Sequence, residues 1–468
     1  MTNRHTHDAL IIGVGQAGNS LARALAGAGW KTAVIERRYV GGACVNDGCT
    51  PTKTMIASAR VAYLARRGTD YGVEPNAARV DLAVVRRRKA QLVEDSRRRI
   101  QRAMDENDNI DFIHGEARFV APQTVEARRR DGGEQTLSAP HIVINSGARP
   151  MIPAIPGLDA TPFLDSTTIM ELDKTPRHLL VLGGGYIGLE FGQMFRRFGA
   201  EVTIVHRGAQ LLAREDTDIA EAVAAILRED GIEVLLQANT VRVAPQAGGG
   251  GALTAQTPTG ERALAGSHLL VATGRAPNVE ALNLATAGVH TTPKGFIQVN
   301  ERLETSAPGV YAAGDVNGGP AFTHIAYDDF RILRHNLLDR GNGAPPAVTT
   351  GRQVPYTVFI DPQLGRIGLT EREARRQGRR IRIAKMPMSH VARALEMDET
   401  RGLIKVVVDA ESEQLLGAAV LGVEGGELAT QLQIAMLGKL PYPILRDAIF
   451  PHPGLAEAFN NLFTYNLE

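Results

Sequence analysis

Two distant segments of the chain share one pattern of apolar and polar positions. Residues 9 to 36 (ALIIGVGQAGNSLARALAGAGWKTAVIE) and residues 179 to 207 (LLVLGGGYIGLEFGQMFRRFGAEVTIVHR) each begin with an apolar run that ends in a glycine-rich turn. Each continues with about 12 residues of helical periodicity, another glycine-containing turn and a second apolar run. A strand, a helix and a second strand in this order form a βαβ unit. The sequence therefore predicts two βαβ units and an α/β fold.

The segment between these units predicts a mixture of helices and strands. Residues 51 to 67 and 83 to 104 have helical periodicity, whereas 111 to 120 and 124 to 138 favour strands with a turn at Asp131-Gly132-Gly133. The Pro- and Gly-rich stretch from 145 to 157 indicates a crossing between domains. A chain of 468 residues is long enough for two to four domains.

Composition narrows the class of protein. Apolar residues make up 44% of the chain and charged residues 22%, as in ordinary globular proteins, and the net charge of +1 favours neither nucleic acid nor an anionic membrane. No apolar run approaches the roughly 18 residues of a membrane helix. The two cysteines cannot form the disulfide framework of a secreted protein, so a cytoplasmic location is expected.

The first glycine-rich turn predicts a dinucleotide site. Gly13, Gly15 and Gly18 fit G-x-G-x-x-G between a strand and a helix, where backbone N–H groups can approach a pyrophosphate. Glu36 ends the second strand, 18 residues after Gly18, where a carboxylate can accept hydrogen bonds from ribose hydroxyls.

The second turn repeats the pattern with a different ending. Gly183, Gly185 and Gly188 form the turn, but the following strand ends in His206-Arg207 with no acid. A cation there would pair with a 2′-phosphate, which favours NADP(H) over NAD(H). The alternative is a solvent-exposed His and Arg after a strand. Two dinucleotide sites suggest a resident flavin and a diffusible nicotinamide.

Both cysteines lie in GGACVNDGCTPTK, residues 41 to 53. In a regular helix Cys44 and Cys49 would be ~140° apart around the axis and ~7.5 Å along it. A disulfide needs Cα atoms about 5.5 to 6 Å apart, so a bridge would need a distorted turn. A structural staple of this size would contribute only about 2 kcal/mol, and a zinc site would lack ligands. Redox chemistry is the best of the three interpretations.

Together these motifs resemble a known family. The pattern GGxCxNxGCxPxK, the two glycine turns, GGGYIGLE, ATGRxPN, AAGDV and a terminal HPxxxE are similar to the flavin-dependent pyridine nucleotide–disulfide oxidoreductases, along essentially the whole chain. Within that family the C-terminal third is most similar to the branch of the reactive-chlorine resistance flavoprotein and mercuric reductase-like proteins. The resemblance implies a homodimeric FAD enzyme with two Rossmann-like domains and a C-terminal α+β dimerisation domain.

The resemblance also implies domain limits. Residues 1–150 and 279–345 would bind FAD, 151–278 would bind NAD(P)H, and 346–468 would form the dimerisation domain.

The resemblance assigns roles to single residues. Cys44 would be the thiol that meets the substrate, and Cys49 the thiol beside the flavin. Lys53 and Glu190 would form an ion pair near the flavin, and Glu457 would orient His452, the acid/base that reaches across from the other subunit. The implied FAD contacts are Gly42, Lys53, Ala117, Gly147 and Asp315, and the implied NADP(H) contacts include Tyr186, as a gate, and Gly274.

Departures from the family pattern affect the expected acceptor. The chain ends in FTYNLE without the vicinal cysteines of true mercuric reductases, so mercury reduction is not expected as the main activity. Asp47 places a carboxylate between the cysteines, which would disfavour a nearby thiolate and could attract a cation. No resident metal, nucleic acid or membrane partner is predicted; the acceptor is a small disulfide or a soft metal ion.

Two other functions remain open from the sequence. The cysteine spacing and the HPxxxE motif also permit an NAD-linked dihydrolipoamide dehydrogenase. A redox-sensing flavoprotein without turnover is the alternative outside enzymes.

Overall fold

The structure, a computed structural model, describes residues 5–74, 79–246, 249–339 and 343–468. The chain divides into two compact units. The first comprises Met1–Thr54, Arg87–Met151 and Arg275–Arg352, and the second comprises the intervening segments and the C-terminal region, Met55–Arg86, Ile152–Gly274 and Gln353–Glu468.

The strands are short and, in the centres of the sheets, fully buried. In chain order they are β1 (Ala9–Ile12), β2 (Thr32–Glu36), β3 (Ile110–Ala121), β4 (Thr124–Arg129), β5 (Glu134–Ser138), β6 (His141–Ile144), β7 (Ala148–Pro150), β8 (His178–Leu182), β9 (Glu201–Val205), β10 (Glu233–Leu235), β11 (Asn239–Pro245), β12 (Gly251–Thr257), β13 (Gly260–Gly266), β14 (His268–Val271), β15 (Arg275–Pro277), β16 (Val310–Ala312), β17 (Tyr356–Val358), β18 (Gln363–Gly368), β19 (Ile381–Pro387), β20 (Leu403–Asp409) and β21 (Leu415–Gly422).

Helices connect the parallel strands β1 and β2 and the parallel strands β8 and β9, and others lie between or after the remaining strands. They are α1 (Gln16–Gly27), α2 (Gly42–Asn46), α3 (Cys49–Arg66), α4 (Leu82–Asp105), α5 (Tyr186–Phe198), α6 (Thr217–Glu229), α7 (Thr323–Arg334), α8 (Glu371–Arg376), α9 (Ala392–Glu396), α10 (Gly425–Leu437), α11 (Tyr442–Asp447) and α12 (Ala458–Tyr465).

The first unit is built on a sheet with the order β16-β6-β1-β2-β3-β4-β5. Strands β16, β6, β1, β2 and the first half of β3 run parallel, while β3, β4 and β5 continue as an antiparallel meander. Because parallel strands present their carboxyl ends at one edge, the turns after β1, β2, β6 and β16 lie at the same edge of the sheet.

The second unit contains a parallel sheet and an antiparallel one. The parallel sheet has the order β10-β9-β8-β14, with α5 connecting β8 to β9. The antiparallel sheet has the order β17-β18-β21-β20-β19, and a three-stranded sheet, β11-β12-β13, accompanies the parallel one. Phe191 and Phe195 of α5 are almost fully buried in the core around the parallel sheet.

The predicted βαβ units are present as β1-α1-β2 and β8-α5-β9. In this division Met55–Arg86 groups with Ile152–Gly274 and Gln353–Glu468 rather than with the rest of residues 1–150. The predicted limits of the FAD-binding, NAD(P)H-binding and dimerisation domains stay a prediction. Across the part of the chain that the structure describes, no helix combines the length and apolar character needed to traverse a bilayer.

Candidate flavin and dithiol site

The helix that could have contained both cysteines is interrupted between them. Helix α2 ends at Asn46 and α3 begins at Cys49, so the two cysteines lie on separate helices. A side chain at Gly48 would place its Cβ 2.9 Å from the carbonyl oxygen of Ala43, so only glycine fits this break. The chain therefore leaves regular helical geometry between the two cysteines.

No disulfide joins the two cysteines in this structure, and their side chains are hydrogen-bonded to each other. Cys44 is half-buried and Cys49 is exposed. The hydrogen bond with Cys49 and burial raise the pKa of the Cys44 thiol, while Thr323 and the positive charge of Lys53 act against this rise. Cys44 therefore needs a base to become a nucleophile.

Thr323, the first residue of α7, lies beside the thiol pair. Its hydroxyl oxygen is 3.3 Å from the sulfur of Cys49. A hydroxyl at this distance can donate to a thiolate, and a hydrogen bond to a charged group contributes about 1.5 to 3 kcal/mol. Thr323 is thus a candidate stabiliser of the negative charge of the dithiol.

Replacing Thr323 with valine is expected to raise the pH at which the reduced pair first forms a thiolate by about one pH unit, because the hydroxyl donor is lost. The ultraviolet thiolate absorbance of the reduced, flavin-free protein measures this change across a pH series. Thr136→Val, an exposed substitution in β5, is the matched control. An unchanged titration in the Thr323 variant would show that the hydroxyl does not stabilise the thiolate.

Asp47 does not present an unpaired carboxylate to the thiols. Its Oδ1 accepts a hydrogen bond from the guanidinium of Arg38 at 2.9 Å. Arg38 offsets the charge of Asp47, which weakens its attraction for another cation, and the expectation that Asp47 attracts a cation stays a prediction.

Asn46 fixes the same loop. Its side-chain amide donates to the carbonyl oxygens of Gly42 at 2.8 Å and Val40 at 3.0 Å, and Arg97 donates to its Oδ1. These bonds satisfy backbone groups that the short helix α2 cannot pair by itself.

The first glycine turn has the geometry of a dinucleotide site. Gly13 has a φ of 100°, and a Cβ there would lie 2.4 Å from the carbonyl oxygen of Asn145. The carboxylate of Glu36 accepts the N–H groups of Val14 and Arg38, each at 2.8 Å, which holds it at the carboxyl end of β2. The donor set and the glycine cradle fit the pyrophosphate and ribose of a flavin dinucleotide.

Gly42 connects this turn to the redox loop. A Cβ at Gly42 would lie 2.7 Å from the Cα of Gly15. The backbones of the two predicted flavin contacts are therefore in direct contact, and the dithiol loop starts on the surface of the glycine turn.

Asn145 stabilises the turn from the neighbouring strand. Its Oδ1 accepts the N–H of Gly18 at 2.9 Å, and its Nδ2 donates to the carbonyl oxygen of Ala313 at 2.7 Å. The Asn145 side chain is buried, so water could not take over either hydrogen bond if the side chain were removed. Asn145 thereby joins the turns that follow β1, β6 and β16.

Replacing Asn145 with alanine is expected to lower the free energy of unfolding by about 2 to 4 kcal/mol, because two buried backbone groups lose their partners. Flavin content of the purified protein should fall in parallel, since the Gly18 turn loses its support. Denaturant unfolding and the ratio of flavin to protein absorbance measure both effects. Asn109→Ala, which removes a single amide bond to Ala26, is the control, and equal losses in the two variants would contradict this role.

The remaining predicted flavin contacts lie in the same unit. Asp315 follows β16 in a 3₁₀ turn, where burial raises the pKa of its carboxyl, and the guanidinium of Arg275 is 3.6 Å away. Gly147 follows Asn145 with a φ of 70°. Ala117 lies farther along β3, buried in the apolar core.

The second glycine turn reproduces the first with one substitution. The N–H of Gly184 donates to Nδ1 of His206 at 3.1 Å, as the N–H of Val14 donates to Glu36 in the first turn. Burial lowers the pKa of His206, so this ring is neutral near pH 7. The interpretation of His206 as a cation is therefore wrong, and Arg207, which is exposed, carries the positive charge at this position.

The other predicted nicotinamide-side residues surround this turn. Gly183 has a φ of 125°, and a Cβ at Gly188 would lie 2.3 Å from the carbonyl oxygen of Gly183. Gly185 precedes α5, and Tyr186 is its first residue. Gly274 ends the segment after β14 with a φ of 148°.

Glu190 is buried in α5, and its Oε1 accepts the N–H of Phe359 at 2.8 Å. Lys53 belongs to the other unit, and the ion pair between Lys53 and Glu190 stays a prediction.

His452 and Glu457 form the predicted pair. Nδ1 of His452 is 2.9 Å from the carboxylate of Glu457, and the imidazole is 68% exposed. The carboxylate fixes the ring so that Nε2 is presented outward, as in a positioned acid/base. Helix α12 begins at Ala458, and bends and turns occupy the residues between His452 and this helix.

Comparison with known proteins agrees with this geometry. The family model "Pyridine nucleotide-disulphide oxidoreductase" matches residues 7–329, and the model of the dimerisation domain of the same family matches residues 354–463. The chain belongs to this family. The predicted fold class and the enzyme class of the pyridine nucleotide–disulphide oxidoreductases are thereby confirmed.

Individual relatives show which members of the family the chain is similar to. The chain is 38% identical over 463 residues to the probable pyridine nucleotide-disulfide oxidoreductase RclA of Escherichia coli, covering 98% of this chain and 99% of that protein. It is 35% identical to a mercuric reductase of Staphylococcus aureus, covering 96% of this chain and 81% of the relative. The structure of a Cu(II) complex of HOCl-induced flavoprotein disulfide reductase RclA from Escherichia coli matches with a TM-score of 0.88 at 37% identity, covering 98% and 99% of the two chains.

Several residues of this pyridine nucleotide–disulphide oxidoreductase site had not been predicted from the sequence. They are Arg38, Asn46, Thr323 and Asn145. Asn46 is a fixed letter of the pattern GGxCxNxGC, and this was a usable signal. Asn145 contacts Gly18 and Ala313, which are far away in sequence, and Arg38 reaches Asp47 across a turn. No local sequence pattern indicates either contact.

Proposed function

We propose that this protein is a flavin-dependent NADPH oxidoreductase that passes electrons through Cys44 and Cys49 to a small disulfide or a soft metal ion. The observation that carries the proposal is the pair of mutually hydrogen-bonded thiols on the loop that starts at the flavin turn. A flavin held by the first glycine turn and Glu36 would supply hydride acceptance from the nicotinamide and two-electron reduction of the cysteine pair. Every other step uses side chains of the protein.

For a disulfide substrate the thiol chemistry balances in two exchanges. His452 takes the proton of Cys44, and the Cys44 thiolate attacks one substrate sulfur, forming a mixed disulfide and expelling RS⁻, which takes that proton back as RSH. After Cys49 gives its proton to water, its thiolate attacks the sulfur of Cys44, forming the Cys44–Cys49 disulfide and expelling a second RS⁻, which takes a proton from water. Two electrons leave the dithiol and reduce one substrate disulfide to two thiols.

The raised pKa of Cys44 supports a dedicated base for this step. His452, oriented by Glu457, is suited to that role because a positioned imidazole can take up and release a proton during catalysis. In the proposed homodimer, His452 of one subunit serves the cysteines of the other. Exposure of the imidazole in the single chain and the matching dimerisation domain support this arrangement.

The proposed preference for NADP(H) rests on charge after β9. Arg207 is exposed there, and His206 replaces the carboxylate that would repel a 2′-phosphate. This also argues against an NAD-linked dihydrolipoamide dehydrogenase.

A soft metal ion is the second class of acceptor that the site favours. Two thiolates are suitable ligands for soft ions. One solved relative is a Cu(II) complex, and other relatives are mercuric reductases. Because Arg38 offsets Asp47, binding would rest on sulfur rather than on carboxylate attraction.

The test is NADPH oxidation by the purified holoenzyme against oxidised glutathione, other low-molecular-weight disulfides, lipoamide, Cu(II) and Hg(II). The proposal expects NADPH to be used in preference to NADH and at least one acceptor to sustain turnover. Rapid turnover of NADH with lipoamide would instead identify a dihydrolipoamide dehydrogenase. Negligible NADPH consumption with every acceptor would favour a redox sensor.

A further inference from the structure

The segment that follows β9 is held at both ends. Residues 206–216, here called the coenzyme loop, connect β9 to α6. At its start, His206 accepts the N–H of Gly184, and the N–H of Leu212 donates to the carbonyl oxygen of Gly184 at 3.0 Å. The loop carries two exposed cations, Arg207 and Arg214, next to the second glycine turn.

The far end of the coenzyme loop is held by the dimerisation domain. The guanidinium of Arg372 donates to the carbonyl oxygens of Ala213 at 3.1 Å and Arg214 at 3.3 Å. In return, the carboxylate of Asp216 accepts the N–H groups of Glu371 at 2.9 Å and Arg372 at 3.1 Å. The backbone on either side of Arg214 is therefore attached to the start of α8.

A buried carboxylate completes the attachment. Glu215 is almost fully buried, and the hydroxyl of Tyr356 donates to its Oε1. The guanidinium of Arg366, itself buried, lies 3.7 Å from its Oε2. Removing a partner from such a group is costly because water cannot replace it, so the end of the loop has a fixed position.

We propose that Arg372 and Tyr356 of the dimerisation domain are positioning residues for the 2′-phosphate of the nicotinamide coenzyme. They fix the backbone of the coenzyme loop, which places the cations of Arg207 and Arg214 where a 2′-phosphate would lie. This inference rests on the proposed use of NADP(H). It adds that selectivity depends on residues outside the nucleotide-binding fold.

Simple interdomain packing would also explain the contacts, but it predicts a different result. A purely structural attachment would affect both coenzymes equally through overall stability. A positioning role affects only the coenzyme that carries a 2′-phosphate, because only that group interacts with the two cations.

The test compares 2′,5′-ADP with 5′-ADP by calorimetric titration of the oxidised holoenzyme. Arg372→Met keeps the apolar stem and removes the donors, and its exposed position favours normal folding. We expect its affinity for 2′,5′-ADP to fall about five- to tenfold, while its affinity for 5′-ADP changes less than about twofold. The KM for NADPH should rise by the same factor, with little change in kcat.

Two variants serve as controls. Arg375→Met removes another exposed guanidinium of α8, which among the described residues is bonded to Glu371 of the same helix. This variant should bind both probes as the unmodified protein does. Tyr356→Phe should reproduce the selective loss, whereas Tyr442→Phe, in a buried site elsewhere in the domain, should not.

Equal loss for both probes, or no loss for either, in the Arg372 variant would overturn the positioning role while leaving NADPH use intact. If the unmodified protein itself binds the two probes equally and oxidises NADH as well as NADPH, the proposed coenzyme preference fails, and this inference fails with it.

Discussion

Replacement of Cys44 with serine is expected to lower disulfide-dependent NADPH oxidation by roughly three orders of magnitude or more, because serine cannot form a disulfide with substrate or with Cys49. Reduction of the flavin by NADPH should persist, since that step does not use Cys44. Steady-state turnover with oxidised glutathione or another active disulfide measures the first quantity, and anaerobic mixing with one equivalent of NADPH measures the second.

Cys49→Ser supplies the contrast. Both variants should lose turnover, but only the Cys44 variant keeps a thiolate at position 49, beside Thr323. The two variants should therefore differ in the pH titration of thiolate absorbance. Sustained disulfide turnover in the Cys44 variant would refute the proposed exchange mechanism.

Replacement of His206 with glutamate is expected to shift coenzyme preference toward NADH by about 100-fold in the ratio of kcat/KM values. In the first turn Glu36 accepts the N–H of Val14, and in the second turn His206 accepts the N–H of Gly184 in the corresponding position. A glutamate can therefore take the place of His206, where its charge would repel a 2′-phosphate and its oxygens would accept from ribose hydroxyls. Steady-state kinetics with the two coenzymes measures the ratio.

His206→Gln separates charge from geometry. Glutamine offers an uncharged acceptor to Gly184, so it should lower the use of NADPH only slightly and should not improve the use of NADH. If the glutamate variant kept the coenzyme ratio of the unmodified protein, the turn after β9 would not be where the 2′-phosphate is recognised.

The fold was predictable because its constraints are local. Gly13 and Gly183 both have positive φ values and make close backbone contacts that a side chain would prevent. The glycines in the sequence pattern therefore predict the backbone geometry of the two turns directly. Apolar runs such as Ala9–Ile12 are buried on both faces of a parallel sheet, which produces continuous rather than alternating hydrophobicity.

Charges were harder to predict than positions. The sequence places Asp47 between the thiols but does not show that Arg38, which leaves the end of β2, turns toward it. It likewise identifies His206 as basic, whereas burial and the Gly184 N–H make that ring a neutral acceptor. Both cases have one cause. The effective charge of a titratable side chain depends on neighbours that the fold brings together.

The helix limits around His452 show a related difficulty. Proline suits the first turn of a helix, so the sequence favours a helix that starts near Pro453, whereas α12 starts at Ala458. The contact between His452 and Glu457 is the one that the family pattern implies, although the helix starts later than the proline suggests.

The ion pair between Arg38 and Asp47 has a consequence for competition among ions. A free carboxylate beside the thiols would bind abundant hard cations such as Mg²⁺ and Ca²⁺, which prefer oxygen ligands. With that carboxylate already paired, the two cysteines offer sulfur ligands to an incoming ion. The dithiol should therefore function at physiological magnesium concentrations without inhibition, and discrimination among metals should follow their affinity for thiolate.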